Sequence, residues 1–124
     1  MRTKKVIYFS QDDWDFISLL AETGIGLNQA RMLVFLDRNG EATSRDIERG
    51  ADMRQPEVNT IGRKFLERGW VSILEKKSDG KSGRIPQYYR LNKSLRFIID
   101  DIEKEKKEEV RKGLRLIGKM RGFI

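Results

Sequence analysis

Apolar residues recur at helical spacing in the first part of the chain. Trp14 and Ile17 follow Ser10, a residue type that caps helix N-termini, so a first helix is predicted to begin at Ser10. The stretch "GIGLN" interrupts this pattern. A second helix is predicted over residues 28–38, and it ends before Gly40 because glycine favours the left-handed conformation that often follows a helix.

A short polar segment follows these two helices. Residues 41–43 are predicted to form an extended piece, and Ser44 is predicted to cap a short helix over residues 45–49. Gly50 is expected to end this helix and to be followed by a tight turn. A short helix, a glycine turn and a further helix form a helix-turn-helix motif.

The next helix is amphipathic and is predicted over residues 55–68 of the stretch "DMRQPEVNTIGRKFLERGWV". Pro56 suits its first turn, where a missing N–H costs nothing, and Gly69 marks its end. One side carries the apolar residues Val58, Ile61, Phe65 and Leu66. The other sides carry the polar and basic residues Gln55, Asn59, Thr60, Arg63 and Lys64.

After Gly69 the hydrophobic period changes from that of a helix to that of a strand. The stretches "WVSILEKK" and "QYYRLN" alternate along their length, and "SDGKSGRIP" between them has loop composition, which together predict a β-hairpin. A last helix is predicted from Ser94 to beyond Lys112. Its first apolar stripe consists of Leu95, Ile98, Ile99 and Ile102, and its second consists of Val110, Leu114, Ile117 and Met120.

The order of these elements predicts a mainly α fold with a small antiparallel β-hairpin. It is the order of a winged helix-turn-helix with a long C-terminal helix. Residues 1–93 are predicted to form a winged-helix DNA-binding domain, with the helix-turn-helix at about 44–69 and the wing at about 70–92. Residues 94–124 are predicted to form a C-terminal helix that mediates dimerisation.

Positive charge is concentrated in one segment of the chain. The net charge is +7, and it divides into −2 for residues 1–53, +7 for residues 54–96 and +2 for residues 97–124. A local basic excess indicates a polyanionic partner, although surplus solvated lysine is the alternative explanation.

The residue types that are missing exclude several kinds of chemistry. The chain contains no Cys and no His, which excludes disulfides, thiolate nucleophiles, imidazole catalysis and any metal site built on those side chains. No cofactor is expected, no apolar run is long enough to cross a membrane, and a cytoplasmic location is predicted.

The amphipathic helix supplies candidate DNA contacts. Gln55, Asn59 and Arg63 are predicted to contact bases in the major groove, since Gln, Asn and Arg can make bidentate hydrogen bonds to adenine or guanine. Contacts to the DNA backbone are predicted for Arg54, Thr60, Lys64, Ser44 and Arg45, and Arg49 is a further candidate. In the wing, contacts to flanking backbone or the minor groove are predicted for Lys76, Lys77, Lys81 and Arg84.

A homodimer is expected, because one winged-helix unit contacts one half-site of a symmetric DNA sequence. The first and last helices carry the apolar surface that the other elements do not use. The predicted dimer interface therefore consists of Trp14, Ile17, Leu95, Ile98, Ile99 and Ile102.

Residues 25–92 also resemble prokaryotic winged-helix transcriptional regulators of the MarR/TrmB/ArsR type, most closely a small archaeal family of predicted transcriptional regulators. The resemblance is carried by "ATSRDI", by "RQPEVN" and "FLERGWV", and by "YYRL". Asn59 departs from the pattern, which usually has serine at that position. The resemblance implies a dimeric DNA-binding protein that regulates transcription, and it implies no particular target or effector.

The predicted function is therefore that of a homodimeric regulator that binds specific double-stranded DNA and catalyses no reaction. The first alternative is a winged-helix module that binds another protein within a larger assembly. RNA binding is disfavoured, because Tyr88 and Tyr89 are adjacent on a strand and point to opposite faces. An enzyme is the least favoured alternative, because the neighbouring carboxylates at positions 12–13 and 100–101 diverge in direction.

Overall fold

The computed structural model describes residues 9–76 and 85–124 and contains five helices and three strands in these ranges. In chain order they are α1 (Gln11–Leu20), α2 (Leu27–Asn39), β1 (Glu41–Ala42), α3 (Ser44–Gly50), α4 (Gln55–Glu67), β2 (Val71–Glu75), β3 (Gln87–Leu91) and α5 (Leu95–Arg121). The predicted winged helix-turn-helix with a long C-terminal helix is confirmed.

The sheet has one strand more than the predicted hairpin. β2 and β3 pair antiparallel over five residues, with Ile73 opposite Tyr89. β1 pairs with the other edge of β3, with Ala42 opposite Tyr89, so that the strand order is β1-β3-β2. The segment before the helix-turn-helix is therefore joined to the wing that follows it.

A single hydrophobic core lies between the helices and the inner face of this sheet. Its largest fully buried side chains are Trp70, Phe35 and Phe65, which come from the start of the wing, from α2 and from α4. Ile98 of α5 is also fully buried, so the first turns of the last helix belong to the same core. The helix-turn-helix, the wing and the start of α5 thus pack as one unit.

Side-chain caps define the helix starts. The hydroxyl of Ser10 accepts from a backbone N–H in the first turn of α1, as predicted, and the hydroxyl of Ser94 does the same for α5. The predicted cap of α3 is wrong by one residue. Thr43, not Ser44, is the cap, because its hydroxyl accepts from the N–H of Asp46 at 3.1 Å while the Asp46 carboxylate accepts from the N–H of Thr43.

The turn between α3 and α4 also differs from the prediction. Gly50 is the last residue of α3, and its role is close packing, since a Cβ atom there would lie 2.1 Å from Cε1 of Phe35. The left-handed conformation is adopted by Asp52, with φ of 55°. Asp is among the residue types that tolerate this region, so the turn forms without a glycine at that position.

The break between α1 and α2 occurs where "GIGLN" predicts it. A wide turn over Ala21–Ile25 ends α1, and both glycines of this stretch have positive φ, 99° at Gly24 and 96° at Gly26. α2 then packs across α1 and the rest of the core.

α5 extends far beyond the domain. Its 27 residues span about 40 Å. Leu95, Ile98 and Ile102 are buried against the core, and nearly all side chains after Ile102 are exposed. No helix in the described part of the chain is long and apolar enough to span a membrane.

Candidate nucleic-acid interface

The inner side of α4 anchors it to the core. Val58 and Phe65 are fully buried and Ile61 is nearly so, as the apolar pattern predicts. Leu66 was assigned to the same side, and this is wrong, because it is 38% exposed. The remaining inner position is Gly62, above which the Tyr89 ring of the wing packs so closely that a Cβ atom would lie 2.7 Å from the Tyr89 hydroxyl.

The outer side of α4 brings the predicted base-contacting residues together. Gln55, Asn59 and Arg63 are each four residues apart and therefore lie along one side of the helix. All three are exposed, and within the described ranges their side chains make no hydrogen bond or ion pair. Their donors and acceptors are available to a partner.

The start of α4 is also exposed. Arg54 caps the helix, and its backbone N–H donates to Oε1 of Glu57 at 3.0 Å. Pro56 lies in the first turn, as predicted. The positive end of the helix dipole therefore lies beside the exposed side chains of Arg54 and Gln55, an arrangement that favours an anion such as a phosphate.

The residues predicted to contact the DNA backbone lie on α4 and α3, and most of them are exposed. Arg54, Thr60 and Lys64 on α4 are exposed, as is Arg45 on α3, and the exposed Arg49 lies one turn after Arg45. Ser44 is half-buried at the first position of α3. Among the described residues, none of the four cations in this set has an acidic partner.

Of the four predicted wing residues, Lys76 is the one that lies among the described residues. Lys76 forms an ion pair with Glu41 of β1, and its ammonium lies 5.2 Å from the centre of the Tyr88 ring. The ion pair holds this side chain against the sheet, and its predicted contact with DNA stays a prediction. Lys77, Lys81 and Arg84 lie outside the described residues.

Two other arginines are engaged within the fold. Arg68 forms an ion pair with Glu105 of α5 and stacks on Trp70 at 3.7 Å from the ring centre. Trp70 in turn donates from its indole N–H to Asp101 at 2.9 Å. Arg68 belongs to the basic segment, but it connects α4 to α5 and is not free for a polyanion.

Arg38 is engaged in a comparable way at the end of α2. Its Nε donates to Oδ1 of Asp13 at 2.8 Å, which joins α2 to α1. Burial would raise the pKa of Asp13, but the hydrogen bonds from Arg38 and Ser10 outweigh it and lower that pKa below its usual value. The hydrogen bond to Asp13 raises the pKa of Arg38. The pair is therefore charged at neutral pH.

The predicted dimer residues are mostly core residues of the single chain. Ile17, Leu95, Ile98 and Ile102 have at most 7% of their surface exposed, so they have almost no area left to bury against a second copy. Trp14 and Ile99 remain 38% and 40% exposed. Sequence periodicity identifies an apolar stripe, but it does not show whether the chain's own core covers that stripe.

A further apolar surface lies on the free part of α5. Val110, Leu114 and Ile117 are 60%, 63% and 40% exposed, and they continue the line of Ile99 along the helix. Their spacing was visible in the sequence, but they were not assigned to the interface. The signal that distinguishes them is their position after "EKEKKEE", beyond the part of the helix that reaches the core.

Comparisons with known proteins agree with this architecture. The model of the MarR family matches residues 23–85, about half of the chain. None of the curated proteins compared with the chain matches it.

Solved structures share the fold at low sequence identity. The transcriptional regulator PA4135 superposes with a TM-score of 0.55 at 16% identity, over 82% of this chain and 73% of that one. The MarR family regulator NMB1585 from Neisseria meningitidis has a TM-score of 0.53 at 14% identity, over 88% and 80%. The adhesin competence repressor AdcR from Streptococcus pyogenes has a TM-score of 0.51 at 17% identity, over 87% and 78%.

Proposed function

This chain belongs to the MarR family, and on that premise we propose that it is a homodimeric transcriptional regulator that binds a specific double-stranded DNA sequence. The observation that carries the proposal is the outer side of α4, where Gln55, Asn59 and Arg63 are aligned, exposed and without a partner among the described residues. Members of the family are transcriptional regulators, so no reaction is proposed. The closer likeness to a small archaeal family stays a prediction.

In the proposed complex α4 lies in the major groove. The amides of Gln55 and Asn59 suit the N6 and N7 edge of adenine, and the guanidinium of Arg63 suits the O6 and N7 edge of guanine. Such contacts contribute about 1–3 kcal/mol each of discrimination against a wrong base. Arg54, Lys64 and the α3 residues Ser44 and Arg45 lie nearby and would contact phosphates.

The wing would add contacts outside the groove that α4 occupies. Lys77, Lys81 and Arg84 are proposed to contact flanking phosphates or the minor groove and to supply affinity more than specificity. These three residues lie outside the described ranges, so their role rests on sequence alone. Lys76 is left out, because it pairs with Glu41.

The proposed dimer uses the free part of α5 together with Trp14 and Ile99. Apolar surface on Val110, Leu114 and Ile117 supports this, because a single chain leaves it in water. Charge supports an antiparallel arrangement of two such helices, since residues 100–109 carry a net −3 and residues 110–124 a net +5. A symmetric pair would present two copies of α4 to half-sites about 34–36 Å apart.

The DNA proposal is tested by titrating the protein with the DNA upstream of its own gene and with an unrelated duplex of equal length. Affinity for both is expected to fall steeply between about 50 and 200 mM salt, as released counterions require. Replacing both Asn59 and Arg63 with Ala is expected to abolish the preference for one duplex and to leave residual salt-dependent binding. Lys104→Ala is the matched control, because it removes one exposed positive charge on α5.

Two outcomes would contradict the DNA proposal. Binding that is absent at low salt, or that is insensitive to salt, would favour the alternative of a protein-interaction module. An equal loss of preference in Lys104→Ala would show that net charge, and not base contact by α4, governs the preference.

The dimer proposal is tested separately by sedimentation of the unmodified protein and of Ile117→Asp. The substitution places a charge in the middle of the exposed stripe and is expected to yield monomers at concentrations where the unmodified protein is dimeric. Lys119→Asp is the control, because Lys119 lies about 160° around the helix from Ile117. A monomeric unmodified protein would refute the dimer.

A further inference from the structure

A chain of polar contacts joins α2 to the first turn of α4. Nδ2 of Asn28 donates to Oε2 of Glu57, and NH1 of Arg31 donates to Oδ1 of Asn28 at 3.2 Å. The other carboxylate oxygen of Glu57 accepts from the backbone N–H of Arg54 at 3.0 Å. One side chain of α2 is therefore linked, through one carboxylate, to the residue that caps α4.

Arg31 determines the direction of these hydrogen bonds. Its guanidinium lies 5.5 Å from the centre of the Trp14 ring, and its Nε is buried without a partner among the described residues. A guanidinium can only donate, so the oxygen of the Asn28 amide must face Arg31 and its NH₂ must face Glu57. Asn28 is thereby matched to an acceptor and cannot reverse without placing its NH₂ against Arg31.

The contact lies behind the side of α4 that is proposed to contact bases. Glu57 is two residues from both Gln55 and Asn59, which corresponds to about 160° around a helix of 3.6 residues per turn. Glu57 therefore faces α2 while Gln55 and Asn59 face away from the domain. The hydrophobic anchors of α4 begin one residue later, at Val58.

We infer that Asn28, oriented by Arg31, is a positioning residue that fixes the first turn of α4 through Glu57 and so determines how well the protein discriminates between DNA sequences. This inference rests on the proposed function. Bidentate contacts to bases require the side chain to be aligned with the base edge, so an unanchored first turn weakens specific contacts. Contacts to phosphate depend less on alignment and are weakened less.

The test reverses the hydrogen bond in two steps. Glu57→Gln alone leaves one amide oxygen for two donors, the NH₂ of Asn28 and the backbone N–H of Arg54, and Asn28→Asp alone places two carboxylates against each other. The double variant restores the contact in the opposite direction, because the introduced glutamine amide donates from Nε2 to the introduced aspartate. That aspartate still accepts from Arg31, and Oε1 of the glutamine still accepts from the N–H of Arg54. The net charge of the double variant equals that of the unmodified protein.

The readout is the ratio of affinities for the preferred and the unrelated duplex, because a change in net charge affects both duplexes alike. Each single variant is expected to lower this ratio by about tenfold, the effect of losing one hydrogen bond to a charged group. The double variant is expected to recover the ratio, and the slope of affinity against salt is expected to stay the same throughout. Glu67→Gln, an exposed charge removal at the other end of α4, should leave the ratio unchanged.

Hydrogen exchange in the absence of DNA separates this inference from the proposed function. The amides at positions 57–60 are expected to exchange faster in both single variants and to regain protection in the double variant. If the unmodified protein binds no DNA while exchange follows this pattern, the anchor exists and the proposed function fails. The inference is overturned if the single variants keep both the affinity ratio and the protection of these amides. It is also overturned if the affinity ratio of the double variant is no higher than that of the single variant with the lower ratio.

Discussion

α4 and α5 are both amphipathic helices, but they leave opposite sides free. The apolar side of α4 is covered by the core, with Val58 and Phe65 fully buried, while its polar side has no partner among the described residues. The free part of α5 is the reverse, since Val110 and Leu114 are more than half exposed while charged neighbours pair with one another. These pairs are Lys107–Glu103, Lys106–Glu109, Arg111–Glu108 and Arg115–Glu108.

The difference indicates which kind of partner each helix suits. The charges of α5 that are already paired gain little from a charged partner, whereas its bare apolar stripe gains from any surface that removes it from water. A helix whose apolar side is buried has only polar contacts to offer. α4 therefore suits a polyanion, and α5 suits a second apolar helix.

The largest effect is expected from a substitution on the buried, apolar side of α4. Phe65→Ala is expected to lower the free energy of unfolding by about 3–5 kcal/mol, because it leaves a cavity in the core. Leu66→Ala, the next residue on the exposed side, is expected to cost less than about 1 kcal/mol. Urea unfolding measures both, and equal losses would contradict the assignment of the two sides.

Glycine substitutions distinguish the two helices, because Gly→Ala is expected to lower the free energy of unfolding in α4 and to raise it in α5. Gly62→Ala in α4 is expected to destabilise by about 1–3 kcal/mol, since its Cβ would lie 2.7 Å from the Tyr89 hydroxyl. Gly113→Ala in α5 meets no atom within 4 Å and is expected to stabilise by about 0.5–1 kcal/mol. Thermal unfolding measures both. The cost of Gly62→Ala should shrink in a Tyr89→Ala background, and an unchanged cost would exclude the Tyr89 ring as its cause.

The partly buried ion pair between Asp13 and Arg38 provides a comparison for the exposed ion pairs of α5. Asp13→Asn is expected to lower the free energy of unfolding by about 1–2 kcal/mol at neutral pH, somewhat less than a fully buried hydrogen bond to a charged group, because Arg38 is partly exposed to water. Because folding lowers the pKa of Asp13, its charge stabilises the fold above the unfolded pKa of about 4, and this stability is lost as pH falls through the folded pKa. The difference in free energy of unfolding between Asp13→Asn and the unmodified protein should therefore become smaller as the pH falls.

The smallest effect is expected from the ion pairs of α5 itself. Glu108 lies 3.1 Å from Arg111 and 3.7 Å from Arg115, and all three side chains are more than 60% exposed. Glu108→Gln is expected to change the free energy of unfolding by no more than about 0.5 kcal/mol, because water and salt screen such pairs. A loss of free energy of unfolding as large as that of Asp13→Asn would mean that this side of α5 is buried and not exposed to solvent.

Local signals allowed most helix boundaries to be predicted. Ser10 caps its helix as expected, and α5 begins directly after Ser94, where the apolar repeat starts. Thr43 and Ser44 are adjacent and equally suitable by residue type. The distinction lies in Asp46, which is three residues after Thr43 and completes a capping box with it.

Features that depend on distant residues were not predictable in the same way. Gly50 suggested a helix end, but its role depends on the Phe35 ring that packs against it. The burial of Ile98 and the exposure of Ile99 depend on where the core ends along α5. The contact between Asn28 and Glu57 joins residues 29 positions apart, and no local pattern marks it. The side of α4 that is proposed to contact DNA was predictable, because an amphipathic repeat defines both of its sides at once.

The pairing of β1 with β3 has a consequence for how such a protein can diverge. Five residues of β2 pair with five of β3, and β1 pairs with the other edge of β3, so the described residues alone define a register for the sheet. Doubling the length of a connection between paired strands costs only about 0.6 kcal/mol in closure entropy. Insertions and deletions between β2 and β3 are therefore inexpensive for the fold. Descendants of one ancestor can therefore change the contacts that we propose for the wing while α4 stays as it is.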